Sequence, residues 1–214
     1  KLTKQALGMS EEDFYVDERA REAMRAAKAQ NEATRLQWHQ DMQAWQSANP
    51  AQAKLWQAIQ NREVPSDLLA QLTEAAGDKS AATRAISGAV IQKAAELMPA
   101  LVSGSADLDG SCKTRIKADG SFLKDNLTGR TMHYGIREHA MGAVMNGISL
   151  FGGFVPAGST FLVFADYMRT PMRLASLMKI SCAFVFTHDS LMVGEDGPTH
   201  QPVEHLATPR AIPN

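Results

Sequence analysis

The chain has 214 residues, enough to bury a sizeable core in one domain with an appendage or in two small domains. With 44% apolar residues, 22 basic against 23 acidic side chains and a net charge of −1, it reads as globular and carries no basic footprint for nucleic acid or for an anionic membrane surface. Any anionic ligand must therefore be met by a local cluster of charge.

Cys112 and Cys182 stand far apart with no CxxC spacing, so both are expected as reduced thiols of a cytoplasmic protein, with Cys182 in the core. The first residues, KLTKQALGMSEEDF, contain no apolar core of a secretory signal. Ala140 to Ala165 holds no charged residue over a span long enough to cross a bilayer. Asn146, Pro156 and Gly152-Gly153 interrupt it, however, which suits a buried helix, a turn and a strand.

In chain order, residues 10 to 60 are charged and rich in Ala and Gln. Helical spacings such as Trp38, Met42 and Trp45, then Leu55 and Ile59, predict helices broken at Asn49-Pro50, and Pro65 opens another. Residues 1–78 are thus expected to form a helical arm or linker whose tryptophan stripe serves packing. From about Lys79 the texture becomes alternating helices and apolar strands. Ile86, Val90, Ala94 and Leu97 mark an amphipathic helix ended by Pro99; ALVSG is a buried strand that runs into the loop SADLDGS. Lys113 to Arg130 reads as a surface excursion, TMHYG as a short strand and EHAMGAVMNGISLF as a helix of small residues. GFVPAG is a strand, DYMRTPMRLASLMK a helix, and SCAFVFTH a strand of the kind buried on both faces of a parallel sheet. This alternation predicts an α/β fold with a doubly wound, mostly parallel sheet, in which ligands gather beyond the carboxyl ends of the strands.

Three groupings there can carry chemistry. Thr187 to His205, THDSLMVGEDGPTHQPVEH, holds three histidines and the carboxylates Asp189, Glu195, Asp196 and Glu204. His188, Asp189, Asp196 and His200 could converge on a metal, although the spacing matches no metal signature; a solvated acidic loop and a loop shaped for a hydroxylated, sugar-like substrate are the other readings. Gly194, Gly197 and Pro198 favour a tight backbone that aims Asp196 and His200 at one place. The second grouping is GIREHAMGAVMNGISL, where Glu138 lies at the positive end of a helix dipole. Ala140, Gly142, Ala143 and Gly147 allow close approach of another helix or of a partner, and a carboxylate caught in such an interface would be desolvated and its pKa raised. The third is STFLVFADY, with Phe161, Phe164 and Tyr167 at i, i+3 and i+6; this spacing suits core packing or one wall of a flat heterocycle site. Arg84 and Ser111 could contact phosphate, Arg84 through its bidentate fork.

Taken together, GSADLDGS, HYGIREHAMGAVMNGISLFGG, STFLVFADY and THDSLMVGEDGPTHQPVEH resemble transketolase, specifically its central domain that binds the pyrimidine end of thiamine diphosphate. The likeness runs from about residue 79 to 214 and implies a domain boundary there, with residues 1–78 as the arm from the family's diphosphate-binding domain. It implies that Glu138 bonds N1′ of the aminopyrimidine, that Phe164 stacks on this ring with Phe161 and Tyr167 in the same pocket, and that Asp107 lies near the cofactor at a subunit interface. By the same resemblance His200 stands near the reacting carbonyl, Asp196 on a sugar hydroxyl, and His188 towards the chain or phosphate, while Arg84 and Ser111 hold the sugar phosphate. Catalytic roles are thereby implied for Glu138 and His200.

The family continues SADL with Pro-Ser-Asn, whereas Asp109-Gly110-Ser111-Cys112 stands here. Its Gly-Asp-Gly and downstream Asn, which bind Mg²⁺ or Ca²⁺ and diphosphate, do not occur, so no metal ligand is assigned in this sequence. The metal and diphosphate are expected from the diphosphate-binding domain of a partner subunit in a homodimer, and the chain is expected to be a piece, cut short at its C-terminus and inactive by itself. The implied reaction is transfer of a two-carbon ketol unit from a ketose phosphate to an aldose phosphate in the pentose phosphate pathway. The alternatives are a related thiamine enzyme, dihydroxyacetone synthase or 1-deoxyxylulose-5-phosphate synthase, or a non-catalytic interaction module.

Overall fold

A computed structural model of the chain describes residues 1–78 and 80–213. Lys79 and Asn214, which bound the domain expected from the sequence, lie outside the described residues. Two compact units are present, Lys1–Lys54 and Leu55–Asn214.

The first unit contains α1 (Leu2–Ala6), α2 (Glu18–Ala48) and the start of α3 (Pro50–Asn61). Asp17 caps α2, its side chain accepting from Arg19 N–H at 2.9 Å, and Pro50 begins α3 where a missing N–H does no harm. The tryptophan stripe does not pack as expected. No residue of α2 is buried, and Trp38 remains 54% exposed, because an apolar row on a helix is covered only if another element lies against it.

The second unit holds α4 (Leu68–Ala76), α5 (Thr83–Leu97), β1 (Leu101–Ser105), α6 (Asp109–Cys112), β2 (Thr131–His133), α7 (Glu138–Phe151), β3 (Val155–Phe161), α8 (Ala165–Met178), β4 (Ala183–Thr187) and α9 (Ala207–Arg210). The four strands form one parallel sheet in the order β2-β1-β3-β4. Its two faces have separate cores. Met141, Met145, Leu162, Ala165 and Met168 pack α7 and α8 on one side, and Ala95, Leu101, Ile116 and Ala157 pack α5 on the other. The fold is therefore the doubly wound α/β arrangement expected.

Close approach depends on two glycines. A Cβ on Gly158 would lie 2.2 Å from Met145 Sδ, and one on Gly142 would lie 2.7 Å from Pro171 Cγ. The small residues of α7 thus divide between two faces, since Gly142 meets α8 while Ala140, Ala143 and Gly147 face outward. The uncharged stretch 140–165 resolves into most of α7, β3 and a turn. No helix among the described residues is long and apolar enough to cross a membrane.

Four local expectations need correction. β4 is not buried on both faces: it is the sheet edge, Ala183 is exposed and Phe184, Val185 and Phe186 are half-buried. Cys182, just before it, is likewise half-buried rather than core. The excursion from Lys113 to Arg130 is anchored inside, with Ile116 wholly buried and its N–H donating to Thr131 Oγ1 at 3.0 Å. Phe161, Phe164 and Tyr167 do not share one helix, because Phe161 ends β3, Phe164 lies in a 3-10 turn and only Tyr167 is on α8.

Candidate active site at the carboxyl edge of the sheet

In a parallel sheet every strand ends on the same side, so the segments after β1, β2, β3 and β4 share one edge. β2 lies on one side of β1 and β3 on the other, which places a topological switch point between the ends of β1 and β3. Asp107 follows β1 and the turn Leu162–Phe164 follows β3. Ser105 shapes the first of these segments, its Oγ accepting from Leu108 N–H at 2.9 Å. Asp107 there takes φ 64°, a left-handed conformation that non-glycine residues adopt at a cost of about 1 kcal/mol or more.

His188, directly after β4, is the second strained residue of the edge, at φ 53°. Its ring Nε2 lies 3.0 Å from Arg84 Nη1 and its Nδ1 lies 2.9 Å from Thr187 Oγ1. A guanidinium only donates, so Nε2 accepts and the proton sits on Nδ1, donated to Thr187. Burial first, and the neighbouring Arg84 charge second, push the His188 pKa below its ordinary value and favour this neutral form. Arg84 Nη1 also reaches Ser111 O at 3.4 Å. Arg84, His188 and Asp196 line one cleft of about 770 Å³ with Ser190 and Val193.

Aromatic rings pack against His188. Phe161 stacks on His188 with centroids 3.7 Å apart, and His200 meets Phe164 edge-on at 5.3 Å and Phe161 at 6.0 Å. Tyr167 is 6.3 Å from Phe164 and 67% exposed. Arg84, Ser111, His188, Phe161, Phe164, His200 and Tyr167 therefore form one connected group, with Asp196 on the same cleft. Among the described residues, neither Asp107 nor Glu138 joins this network.

Glu138 has surroundings of its own on the same edge. The turn after β2 requires Gly135 at φ 66° and is clamped by Arg137 Nη1, which donates to Tyr134 O at 2.8 Å. Glu138 then opens α7 and is only 7% exposed. A carboxylate at a helix N-terminus is favoured by the dipole, and among the described residues no group hydrogen-bonds to it. It is thus a nearly buried acceptor with no donor on it among the described residues. Nearby, burial pushes the Tyr134 hydroxyl up to about 12.

Two contributors were not evident from the residue pattern. Thr187 positions the His188 ring and lies 3.3 Å from Cys112 Sγ, which is wholly buried. Cys112 looked like a lone thiol, and only its neighbour in the folded chain gives it this place. Burial raises its pKa and keeps it a thiol.

Residues 79–214 match the family described as "Transketolase, pyrimidine binding domain". The chain belongs to the transketolase family. Transketolase from Geobacillus stearothermophilus is 46% identical over 217 residues, covering all of this chain and 32% of the relative. The solved transketolase of Leishmania mexicana aligns at TM-score 0.89 and 36% identity, over 99% of this chain and 32% of that one. A Pichia stipitis transketolase solved as a complex with sedoheptulose-7-phosphate aligns with the same score, identity and coverage. The chain spans about a third of the length of the transketolases it matches.

Proposed function

We propose that this chain supplies the pyrimidine-binding part of a transketolase, and that the complete enzyme moves a two-carbon ketol unit from a ketose phosphate to an aldose phosphate. The observation that carries this reading is the Arg84–Ser111–His188 cluster, stacked through His188 on Phe161 at the carboxyl edge of the sheet. A guanidinium, a neutral imidazole and an acidic neighbour, Asp196, suit a phosphorylated and hydroxylated substrate. The Pichia stipitis relative was solved with such a sugar phosphate, and the relatives' shared name favours ketol transfer over dihydroxyacetone or 1-deoxyxylulose-5-phosphate synthesis.

In this reading Arg84 and Ser111 hold the phosphate, His188 and Asp196 orient the sugar chain, and His200 stands by the reacting carbonyl. Phe161, Phe164 and Tyr167 form the wall for the cofactor's flat ring, and Asp107 lies close to it at a subunit boundary. Thiamine diphosphate, when bound, supplies the carbanion chemistry. The residues present fit it: Glu138 is a buried acceptor at a helix end and suited to share a proton with N1′ of the aminopyrimidine. Phe161 and Phe164 offer the apolar surface that excludes water. The diphosphate and its Mg²⁺ or Ca²⁺ would be held by a diphosphate-binding domain of a partner subunit. Residues 1–78 serve as the arm towards that domain, and the outward face of α7, with Ala140, Ala143 and Val144, meets the partner in a homodimer. The setting is the pentose phosphate pathway of the cytoplasm.

The test joins this chain to a diphosphate-binding partner domain with thiamine diphosphate and Mg²⁺. Ketol transfer should appear, and Glu138→Gln should lower turnover by at least ~10²-fold with the fold intact, the loss expected when a proton-transfer group is removed. No transfer from a folded, cofactor-loaded assembly would leave a non-catalytic module, and near-normal turnover of Glu138→Gln would remove the role given to Glu138.

A further inference from the structure

The third histidine of the THDS…VEH segment takes no part in the cleft. His205 is 5% exposed, and its Nδ1 is buried without a hydrogen-bond partner among the described residues. A buried polar atom left unpaired costs about 1–3 kcal/mol, so its retention in this place calls for something that occupies it. Two carboxylates face the ring: Asp166 Oδ2 is 3.3 Å from Nε2 and Glu204 Oε2 is 3.8 Å from Nδ1. One nitrogen of His205 and one oxygen from each carboxylate lie within 4.8 Å of one another. Among the described residues no other group of three or more His, Cys, Asp or Glu side chains is drawn together in this way.

We propose that Asp166, Glu204 and His205 bind a divalent transition ion of the zinc type. One ion takes a single ring nitrogen, and its ligands, about 2.0–2.2 Å away, stand about 3.4 Å apart, so the two carboxylate oxygens, which lie within 4.8 Å of that nitrogen and of each other, draw in on binding. An imidazole with two carboxylates selects Zn²⁺, Co²⁺ or Ni²⁺ over Mg²⁺ and Ca²⁺, which prefer all-oxygen sets. The imidazole is buried, while the Asp166 and Glu204 side chains are 52% and 70% exposed and so are free to swing onto an ion held at the ring. Two negative charges balance the ion, and three protein ligands leave one position for water.

The location gives the ion a structural consequence. Asp166 is in the first turn of α8, immediately after the 3-10 turn that carries Phe164, and His205 follows His200 in the C-terminal segment. A bound ion ties these two segments together and stiffens the aromatic wall of the cleft. This ion is distinct from the one expected with the cofactor diphosphate.

The test is a titration of the 214-residue chain with Co²⁺, followed by calorimetry and by the visible absorbance of the bound ion, with Zn²⁺ as competitor. Because His188 and His200 can also take up ions, the readout is the difference between wild type and two variants, His205→Gln and Asp166→Asn. Loss of an outer partner of a metal ligand typically weakens binding 10–100-fold, so loss of a ligand itself should remove one equivalent or weaken its binding at least ~10-fold in both variants. Wild-type binding retained by either folded variant, or no ion bound by the wild type, overturns the site. Asp166 is exposed, so Asp166→Asn decides the matter by itself should His205→Gln fail to fold.

Discussion

Gly142 lies on the face of α7 that meets α8, where an added Cβ would stand 2.7 and 2.9 Å from Cγ and Cβ of Pro171 and 3.0 Å from Cγ of Met168. Carbon atoms pack at about 3.5–4.0 Å, so the helices would have to part by roughly 0.5–1 Å. Neither neighbour can swing away, since Pro171 is a ring inside a helix and both residues are wholly buried. Overpacking of this kind costs about 1–3 kcal/mol, and the better helix propensity of alanine returns at most about 1 kcal/mol. Gly142→Ala should therefore destabilise the chain by up to about 2 kcal/mol, a fall of up to about 4–8 °C in Tm at this size. Gly147 supplies the internal control: it is on the same helix with nothing within 4 Å of its Cβ position, so Gly147→Ala should gain up to about 1 kcal/mol. Thermal melts followed by far-ultraviolet circular dichroism on both variants decide the matter. A Gly142→Ala protein as stable as Gly147→Ala would refute the claim that this glycine is required by contact with α8. The consequence reaches the site, because α7 carries Glu138 at its first turn, and parting the helices displaces that carboxylate.

His188 predicts a pH dependence. Its folded pKa is held below the ordinary value of 6.5 by burial and by Arg84, so the folded state binds a proton less readily than the unfolded chain. Its contribution to stability is therefore complete above about pH 6.5 and is lost as pH falls through the lower folded value. His188→Gln should flatten the acid side of a Tm-against-pH profile, and an unchanged slope would show that other groups set it. Arg84→Ala in the complete enzyme should raise KM for phosphorylated sugars about 10-fold, the loss of a charge-assisted hydrogen bond, and leave unphosphorylated substrates nearly unaffected. An equal change for both substrate types would place Arg84 outside the phosphate contact.

The pattern of elements was legible because its signals are local. Asn49-Pro50 broke α2 from α3, Pro99 ended α5, and the run EHAMGAVMNGISLF coincides with α7. Where the linear pattern misled, the missing information was the neighbour across space. SCAFVF has the composition of a strand covered on both faces, but coverage depends on strand order, and β4 is at the edge. The Phe161, Phe164, Tyr167 spacing looked helical because a strand end, a 3-10 turn and a first helical turn can mimic that period.

The residues of the candidate site were also visible in the one-dimensional chain, but their grouping was not. Motif strings select side chains by type and spacing, which is enough to single out Arg84, Glu138, His188 and His200 and to suggest their chemistry. Arg84 and His188, however, are 104 residues apart, and their 3.0 Å contact exists only because four parallel strands end on one edge. The same closure set the tautomer of His188, buried Cys112 beside Thr187 and left one nitrogen of His205 unpaired. Local propensity and residue chemistry are properties of the chain as written, whereas burial, pairing and protonation depend on what the folded backbone brings within a few ångströms.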